Sequence, residues 1–564
     1  MKGIIASVIS IIIIFVAFLS NPIHACTPSP DLLAKAEYQR SLGAEVPDYQ
    51  AIISAFKENK SSQYTAHSMT YYSTGNDTIN VLALLVEFSD HPAETPAEDF
   101  DTLLFENRQR TVANYYLENS YDKLLISTAD LCSETGWLTA PSEYSYYVNS
   151  SYGFGEYPQN SQKLVEDIVD LADPAVDFSQ YDNDGDGYVD MLLIIHSGTG
   201  AELSGSVNDL WSTDWDITPR TLDGVNIFAY VVLPEYWLFS GDMTCGQFCH
   251  NIGHLLGLPD LYDTDGSSRG VGRFSLMGNG SWNGSLGNTP AHLDAWCKTQ
   301  LGFVSPTDIT TSALNQEIPA VEYNPVIYRC WSEGIVGDEY FLVENRQKVG
   351  YDAYLPASGL LIWHIDDAQT NNTHEYYPGH TSSGNFLVAL EQADGLWEME
   401  QNMDYGDSGD PFPGDSVKRD FTAATTPGSN NYADENSLVA ITNISDSDSV
   451  MTADFSASFV VEAGDDSDNP LPYTFTLEQN HPNPFNPSTE ISYSIPSAGD
   501  VNLTIYNTLG QRVTTLIDYF QDAGSYNIVW DGADDSGGPV SSGIYFYKIM
   551  INNDTECRKM LLLK

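Results

Sequence analysis

Thr244 to Asp260 reads T-C-G-Q-F-C-H-N-I-G-H-L-L-G-L-P-D. Thr244 followed three positions later by Gln247 has the form of a capping box and predicts a helix starting at Thr244. His250 and His254 stand at i and i+4, so they stack on one helix face and can offer two imidazole nitrogens to one cation. Phe248, Ile252 and Leu255 supply apolar cover. Gly257 suits the end of the helix, and Leu258-Pro259 turns the chain so that Asp260 returns as a third ligand. A bare pair of histidines at this spacing is more often a satisfied surface or core pair. The added Gly257-x-x-Asp260 at fixed distance makes metal the better reading. Two neutral imidazoles and a carboxylate, with a fourth position open, form the ligand set of a catalytic Zn²⁺ site.

The flanking sequence reads as a mixed α/β domain. Asn80 to Phe88 and Met191 to Ile195 are continuous apolar runs with the look of buried strands. Leu164, Ile168, Leu171 and Ala172 fall on one face at helical spacing. This alternation places an α/β domain at 79–306. From 307 to 461 the texture changes to short β-rich runs (EYFLVEN, GLLIWHID, NFLVALEQ, SLVAITNI) separated by Gly, Pro and Asn, a second and mostly β unit. Residues 462–474 have no apolar periodicity and read as a linker. Beyond it, Ile491/Tyr493/Ile495, Val501/Leu503/Ile505 and Tyr526/Ile528/Trp530 alternate as half-buried strands of a small β-sandwich at 475–564.

Met1-Lys2, the apolar run Ile4 to Leu19 and the small residue Ala25 have the form of a signal peptide over 1–25. Ala25-Cys26 also raises the option of a lipidated Cys26, although His24 fits such a site poorly. Residues 26–78 are an N-terminal extension or short propeptide. Seven cysteines in 564 residues permit one or two disulfides in an exported protein and require none. Asp and Glu number 78 against 23 Lys and Arg, a formal net charge of -55, which argues against nucleic-acid and anionic-membrane partners. Hydrophobic residues make up 42%, enough for packed cores, so disorder is not the global answer.

The motif H-x-x-G-H-L-L-G-L-P-D-L-Y-D, followed by Phe274-Ser275-Leu276-Met277-Gly278, resembles the peptidase M6 family of immune inhibitor A-type metallopeptidases. So do VLALLVEFSDHP (81–92), NYYLENSYDKL (114–124), YDNDGDGYVDMLLIIHSGTGAE (181–202), PAHLDAWCKTQLGF (290–303), EYFLVENRQ (339–347), GLLIWHID (359–366) and ALEQADG (389–395). The resemblance spans about residues 79 to 455. It implies a metzincin-like zinc metallopeptidase domain, with Met277 as the Met-turn beneath the metal. One residue departs from the family's His-Glu-x-x-His, namely Asn251 in the position of the general base. A carboxamide is nearly isosteric with the shorter carboxylate but accepts no proton, and losing a general base usually costs on the order of 10²–10⁴ in rate. Two functions follow as expectations. One is a secreted zinc endopeptidase acting on extracellular proteins, with another carboxylate such as Glu235 as a substitute base. The other is a pseudopeptidase, a zinc- and calcium-binding surface protein that holds peptide or other surface ligands.

Asp182-x-Asp184-x-Asp186-Gly187-Tyr188-x-Asp190 sets carboxylates at alternate positions of a tight turn, with the Tyr188 carbonyl as a further oxygen, a pattern suited to Ca²⁺. Leu193 stands where an EF-hand has its Glu, so the reading is a calcium turn and not an EF-hand; a solvated acidic loop is the bland alternative. Asp263-x-Asp265-Gly266 is a weaker echo. Ser197-Gly198-Thr199-Gly200 lacks the Lys of a phosphate loop, and Cys245, Cys249, His364 and Asp366 read as structural. The stretch LEQNHPNPFNPST (477–489), with IYNTLGQRVTTL (505–516) and the terminal RKMLLLK (558–564), resembles type IX secretion system type A sorting domains. That resemblance implies a Gram-negative bacterium, export to the surface or medium, and an outer-membrane secretion machinery as partner.

Overall fold

A computed structural model describes residues 25–42, 44, 46–59, 73, 75, 77–456 and 476–563, apart from 335 and 381–383 and short interruptions in the C-terminal region. The expected signal peptide (1–24 of it) and the linker 462–474 lie outside the described residues. The chain divides into two compact units, Met1–Val460 and Val461–Lys564.

A five-stranded sheet organises the first unit, in the order Trp137–Thr139, Leu82–Glu87, Leu192–Thr199, Val225–Tyr236, Thr213–Leu222. The first four strands run parallel and Thr213–Leu222 closes one edge antiparallel. Because side chains alternate across a strand, Ala83, Leu85, Leu193, Ile195, Val231 and Leu233 face one core, which also takes Cys245, Phe248 and Ile252. Leu82, Leu84, Val86, Leu192, Ile194 and Val232 face a second core, with Leu164, Val165, Ile168 and Val169 of the helix Ser161–Ala172. Asn160 caps that helix by accepting from the Lys163 amide at 3.2 Å. Leu171, expected on its buried face, is exposed; Val165 and Val169 are buried in its stead.

The boundary expected at 306/307 is not a break in the structure. The core that holds the site helix runs on into Tyr340, Leu342, Leu361, Trp363 and Ile365, on strands Glu339–Arg346 and Gly359–Asp366 of a second five-stranded sheet. The β-rich texture after 306 is real, but its apolar faces are buried against the α/β part, so the two share one core. A three-stranded sheet, ordered Ala440–Thr442, Val450–Ser456, Ala313–Pro319, completes this unit.

The C-terminal unit has the sandwich form that its alternation predicts, with three strands in one sheet and four in the other. Ile491, Tyr493, Ile495, Val501, Leu503, Ile505 and Trp530 fill its core.

Candidate metal centre

The site helix runs Cys245–Leu255 with Thr244 at its N-cap. The expected capping box does not form. Thr244 Oγ1 donates to the Leu286 carbonyl and accepts from Trp237 Nε1 at 3.0 Å, while the Gln247 amide donates to Ser281 Oγ at 3.1 Å. Both caps are thus drawn into the loop that packs on the helix. At the other end Gly257, at φ 97°, takes the left-handed conformation that favours glycine. The Leu258 amide then bonds back to the Gly253 carbonyl at 3.0 Å, and the chain turns toward Asp260 as expected.

His250, His254 and Asp260 come together, all buried, with ligand atoms within 4.8 Å of one another. The two Nε2 atoms are 3.0 Å apart, and Asp260 Oδ1 lies 3.3 Å from His250 Nε2 and 3.1 Å from His254 Nε2. A tetrahedral centre with bonds of about 2.0–2.1 Å sets its ligand atoms ~3.3 Å apart, so this spacing fits zinc. The outer nitrogens fit as well. His250 Nδ1 meets the Leu276 carbonyl and His254 Nδ1 the Leu258 carbonyl, each at 2.9 Å. A proton on each Nδ1 bonded to those carbonyls turns an Nε2 lone pair toward the point where the two rings and Asp260 meet.

Met277 packs against the helix: a Cβ on Gly253 would sit 2.7 Å from its Sδ. Gly253 therefore gives the methionine its room. Asp260 Oδ2 accepts from Lys57 Nζ at 2.8 Å, and Lys57 also reaches Tyr262 Oη at 3.2 Å. Asn251 is buried one position beyond His250. Its Nδ2 donates to the Gln247 carbonyl at 2.7 Å and to Cys26 Sγ at 3.0 Å. Cys26 is buried too, and burial, with the charges of Glu202 and Asp260, raises its thiol pKa.

Glu235 is not available as a substitute base. Near the end of its strand it accepts from the amides of Glu94 at 2.7 Å, Gly198 at 2.9 Å and Thr95, so the carboxylate is consumed in holding loops. Glu202 is the carboxylate that the sequence reading passed over. It is fully buried, burial pushes its pKa up to about 7, and it is held by the Ser212 amide and hydroxyl at 3.2 and 2.5 Å.

In the acidic turn the fold brings carboxylate oxygens of Asp182, Asp184 and Asp190 within 4.8 Å of one another; Asp186 is outside that grouping. The turn is laced by its own amides, Gly185 to Asp182 at 2.9 Å and Tyr188 to Asp186 at 2.8 Å. Burial raises the Asp190 pKa to about 7. Distant sequence positions also bring together Asp394, Asp407 and Asp410. Cys245 and Cys249 are free and buried, in keeping with a structural reading. His364 is also structural: it is clamped between Glu391 at 3.0 Å and Glu339 at 2.9 Å.

A helix that presents two histidines and a following aspartate to one point can hold a metal ion. Residues 68–303 match the family model of the immune inhibitor A peptidase M6 catalytic domain, and residues 486–554 match that of the FlgD Ig-like domain. Among curated proteins, the chain is similar to immune inhibitor A of Bacillus thuringiensis subsp. alesti, 29% identical over 267 residues that cover 37% of each protein. It is also similar to the pre-pro-metalloprotease PrtV of Vibrio cholerae, 27% identical over 279 residues that cover 39% of this chain and 29% of that one. The matched region thus spans well under half the length of these relatives. Among solved structures, FlgD from P. aeruginosa is 26% identical over 13% of this chain and 60% of that one, with a TM-score of 0.12.

Proposed function

We propose that the Met1–Val460 unit is a zinc-dependent peptidase of the M6 type, metzincin-like in arrangement, that hydrolyses peptide bonds of extracellular proteins. The observation that carries this reading is the convergence of His250, His254 and Asp260 at zinc spacing, inside the region that matches an M6 catalytic domain. Zinc in such a site supplies Lewis acidity, which polarises a scissile carbonyl and makes water nucleophilic near neutral pH. The protein's own part is orientation. The Leu276 and Leu258 carbonyls fix the imidazoles, Lys57 fixes Asp260, and Met277 supports the helix from below. The Asn251 carboxamide can hydrogen-bond a nucleophile but takes no proton from it, so turnover is slower than a glutamate at this position allows.

That same carboxamide favours a second reading, a pseudopeptidase that keeps the zinc site and binds peptide or other surface ligands. Zinc-loaded protein incubated with fluorescent casein separates the two. Cleavage that a chelator stops and added zinc restores is expected of the peptidase; casein that binds and stays intact over days is expected of the pseudopeptidase.

The Asp182–Asp190 turn is proposed as a Ca²⁺ site, built on Asp182, Asp184 and Asp190. For the C-terminal unit, the resemblance of residues 477–489 and 558–564 to type A sorting domains supports export by a type IX system after removal of a signal peptide. Periplasmic retention of a chain lacking residues 475–564 is the expected outcome, and normal secretion of that chain would refute it.

A further inference from the structure

We propose that Asp352, clamped by Arg346, is a positioning residue for the metal centre: through the peptide groups of His292 and Leu276 it fixes the carbonyl that orients His250. The inference rests on the zinc reading of His250, His254 and Asp260.

His250 Nδ1 meets the Leu276 carbonyl at 2.9 Å, and one residue on, the Met277 carbonyl accepts from the Leu261 amide at 2.9 Å, next to Asp260. The short segment 275–277 thus sets the register of a ligand on the helix and of a ligand beyond it. Whatever holds that segment holds the centre. The Leu276 amide donates to the His292 carbonyl at 3.1 Å, and the His292 amide donates to Asp352 Oδ1 at 2.9 Å. A run of peptide groups therefore leads from the His250 ring to one carboxylate in the β-rich half of the unit.

That carboxylate is fixed in turn. Arg346 Nε donates to Asp352 Oδ2 at 2.7 Å and Nη2 donates to Oδ1 at 2.6 Å, a two-pronged contact in which both side chains are fully buried. Arg346 Nη1 donates to Glu344 Oε1 at 3.1 Å, and Trp363 Nε1 donates to the same oxygen at 3.0 Å, so strands Glu339–Arg346 and Gly359–Asp366 both steady the guanidinium. Burial alone would push the Asp352 pKa up; the Arg346 guanidinium overrides it, lowers the pKa and keeps the group a carboxylate. His292 is pinned through its ring as well, with Lys298 Nζ donating to Nδ1 at 3.2 Å and Nε2 meeting Glu118 Oε1 at 2.9 Å. Glu118 belongs to the helix Val112–Ser120, whose Tyr116 Oη donates to the Cys249 carbonyl of the site helix at 2.7 Å. The site helix and the segment beside it are tied to one anchor from two sides.

A buried ion pair is a poor device for stability alone, since apolar side chains of the same volume often do as well or better. Apolar side chains cannot accept the buried His292 amide at a defined point, and that directional acceptance is what the relay uses. Partners that orient a metal-bound histidine are worth about 10–100-fold in metal affinity.

The test measures zinc affinity by chelator competition, and the visible d–d bands of the cobalt-loaded protein, in the full-length parent, Asp352→Leu, Asp352→Asn and His364→Gln. Asp352→Leu offers the His292 amide no acceptor and is expected to bind zinc at least about tenfold more weakly, with altered cobalt bands. Asp352→Asn, which keeps an acceptor oxygen, is expected to recover most of that loss. His364→Gln disturbs the same sheet outside the relay and is expected to keep the parent's affinity and bands. Parent affinity and bands in folded Asp352→Leu overturn the inference, and so does an equal loss in His364→Gln, which would make general destabilisation the cause. If Asp352→Leu does not fold, hydrogen exchange on the parent decides. Linkage is reciprocal, so zinc is expected to slow exchange of the His292 amide at least about tenfold, and an unchanged rate overturns the inference. A parent chain that binds neither zinc nor cobalt overturns the zinc reading itself, whatever the variants do.

Discussion

Asn251→Glu restores a proton acceptor beside the metal ligands, and the structure gives the size of both its effects. Asn251 Nδ2 makes two hydrogen bonds, to the Gln247 carbonyl at 2.7 Å and to Cys26 Sγ at 3.0 Å. A glutamate loses both, at a net cost of about 0.5–1.5 kcal/mol each, and must be buried. The variant is expected to be about 1–3 kcal/mol less stable without zinc, and to recover part of that with zinc through attraction to the cation. In exchange, a general base contributes 10²–10⁴ in rate, or about 3–5 kcal/mol of barrier. The assay is initial-rate hydrolysis of fluorescent casein by zinc-replete parent and variant, with chelator controls and zinc measured in every sample. A variant rate within threefold of the parent at equal zinc content and intact fold would refute the reasoning, because the missing carboxylate would then not be what limits turnover.

Gly253→Ala brings a methyl to 2.7 Å from Met277 Sδ, so a loss of about 1–3 kcal/mol from overpacking is expected in thermal or denaturant unfolding, together with weaker zinc retention. Burial lowers the His364 pKa, but hydrogen bonds and charge from Glu339 and Glu391 override it and hold it at about 9, above the ordinary 6.5. A raised pKa means that this contribution, about 3 kcal/mol, is complete below pH 6.5 and is lost as pH rises through 9, which urea unfolding across pH 6 to 10 checks against His364→Gln. Arg346 is fully buried against Glu344 at 3.1 Å and Asp352 at 2.6 Å, so Arg346→Met leaves buried carboxylates unmatched and costs about 3–5 kcal/mol in the same assay. Calcium is expected to raise the melting temperature of the parent and to have no effect on Asp190→Asn; an equal shift in both would remove the acidic turn as the site.

What the sequence made legible was whatever depends on neighbours in the chain. The helical spacing of His250 and His254, the glycine turn at Gly257 and the return at Asp260 all follow from local geometry, and the strand alternation of Ile491 to Ile495 is equally local. The capping box does not form because Thr244 and Gln247 find partners at Leu286, Trp237 and Ser281, which no local pattern announces. The contact of Cys26 with Asn251 is illegible for the same reason. Cys26 stands 225 positions from Asn251, next to a leader, where the chemistry of lipidation and cleavage is the natural reading. Lys57 is 203 positions from the Asp260 it holds. Glu235 looked free because sequence does not show the amides of Glu94, Thr95 and Gly198 closing around it. The 306/307 boundary followed a true change in composition, yet composition is blind to which apolar faces bury one another.

Equilibrium zinc binding against a fluorescent chelator of known affinity tests most directly whether His250, His254 and Asp260 form one zinc centre. One tightly held zinc per chain is expected, lost in His254→Ala and retained in Asn251→Ala, whose side chain is no ligand. Retention of full zinc stoichiometry and affinity by folded His254→Ala would contradict it.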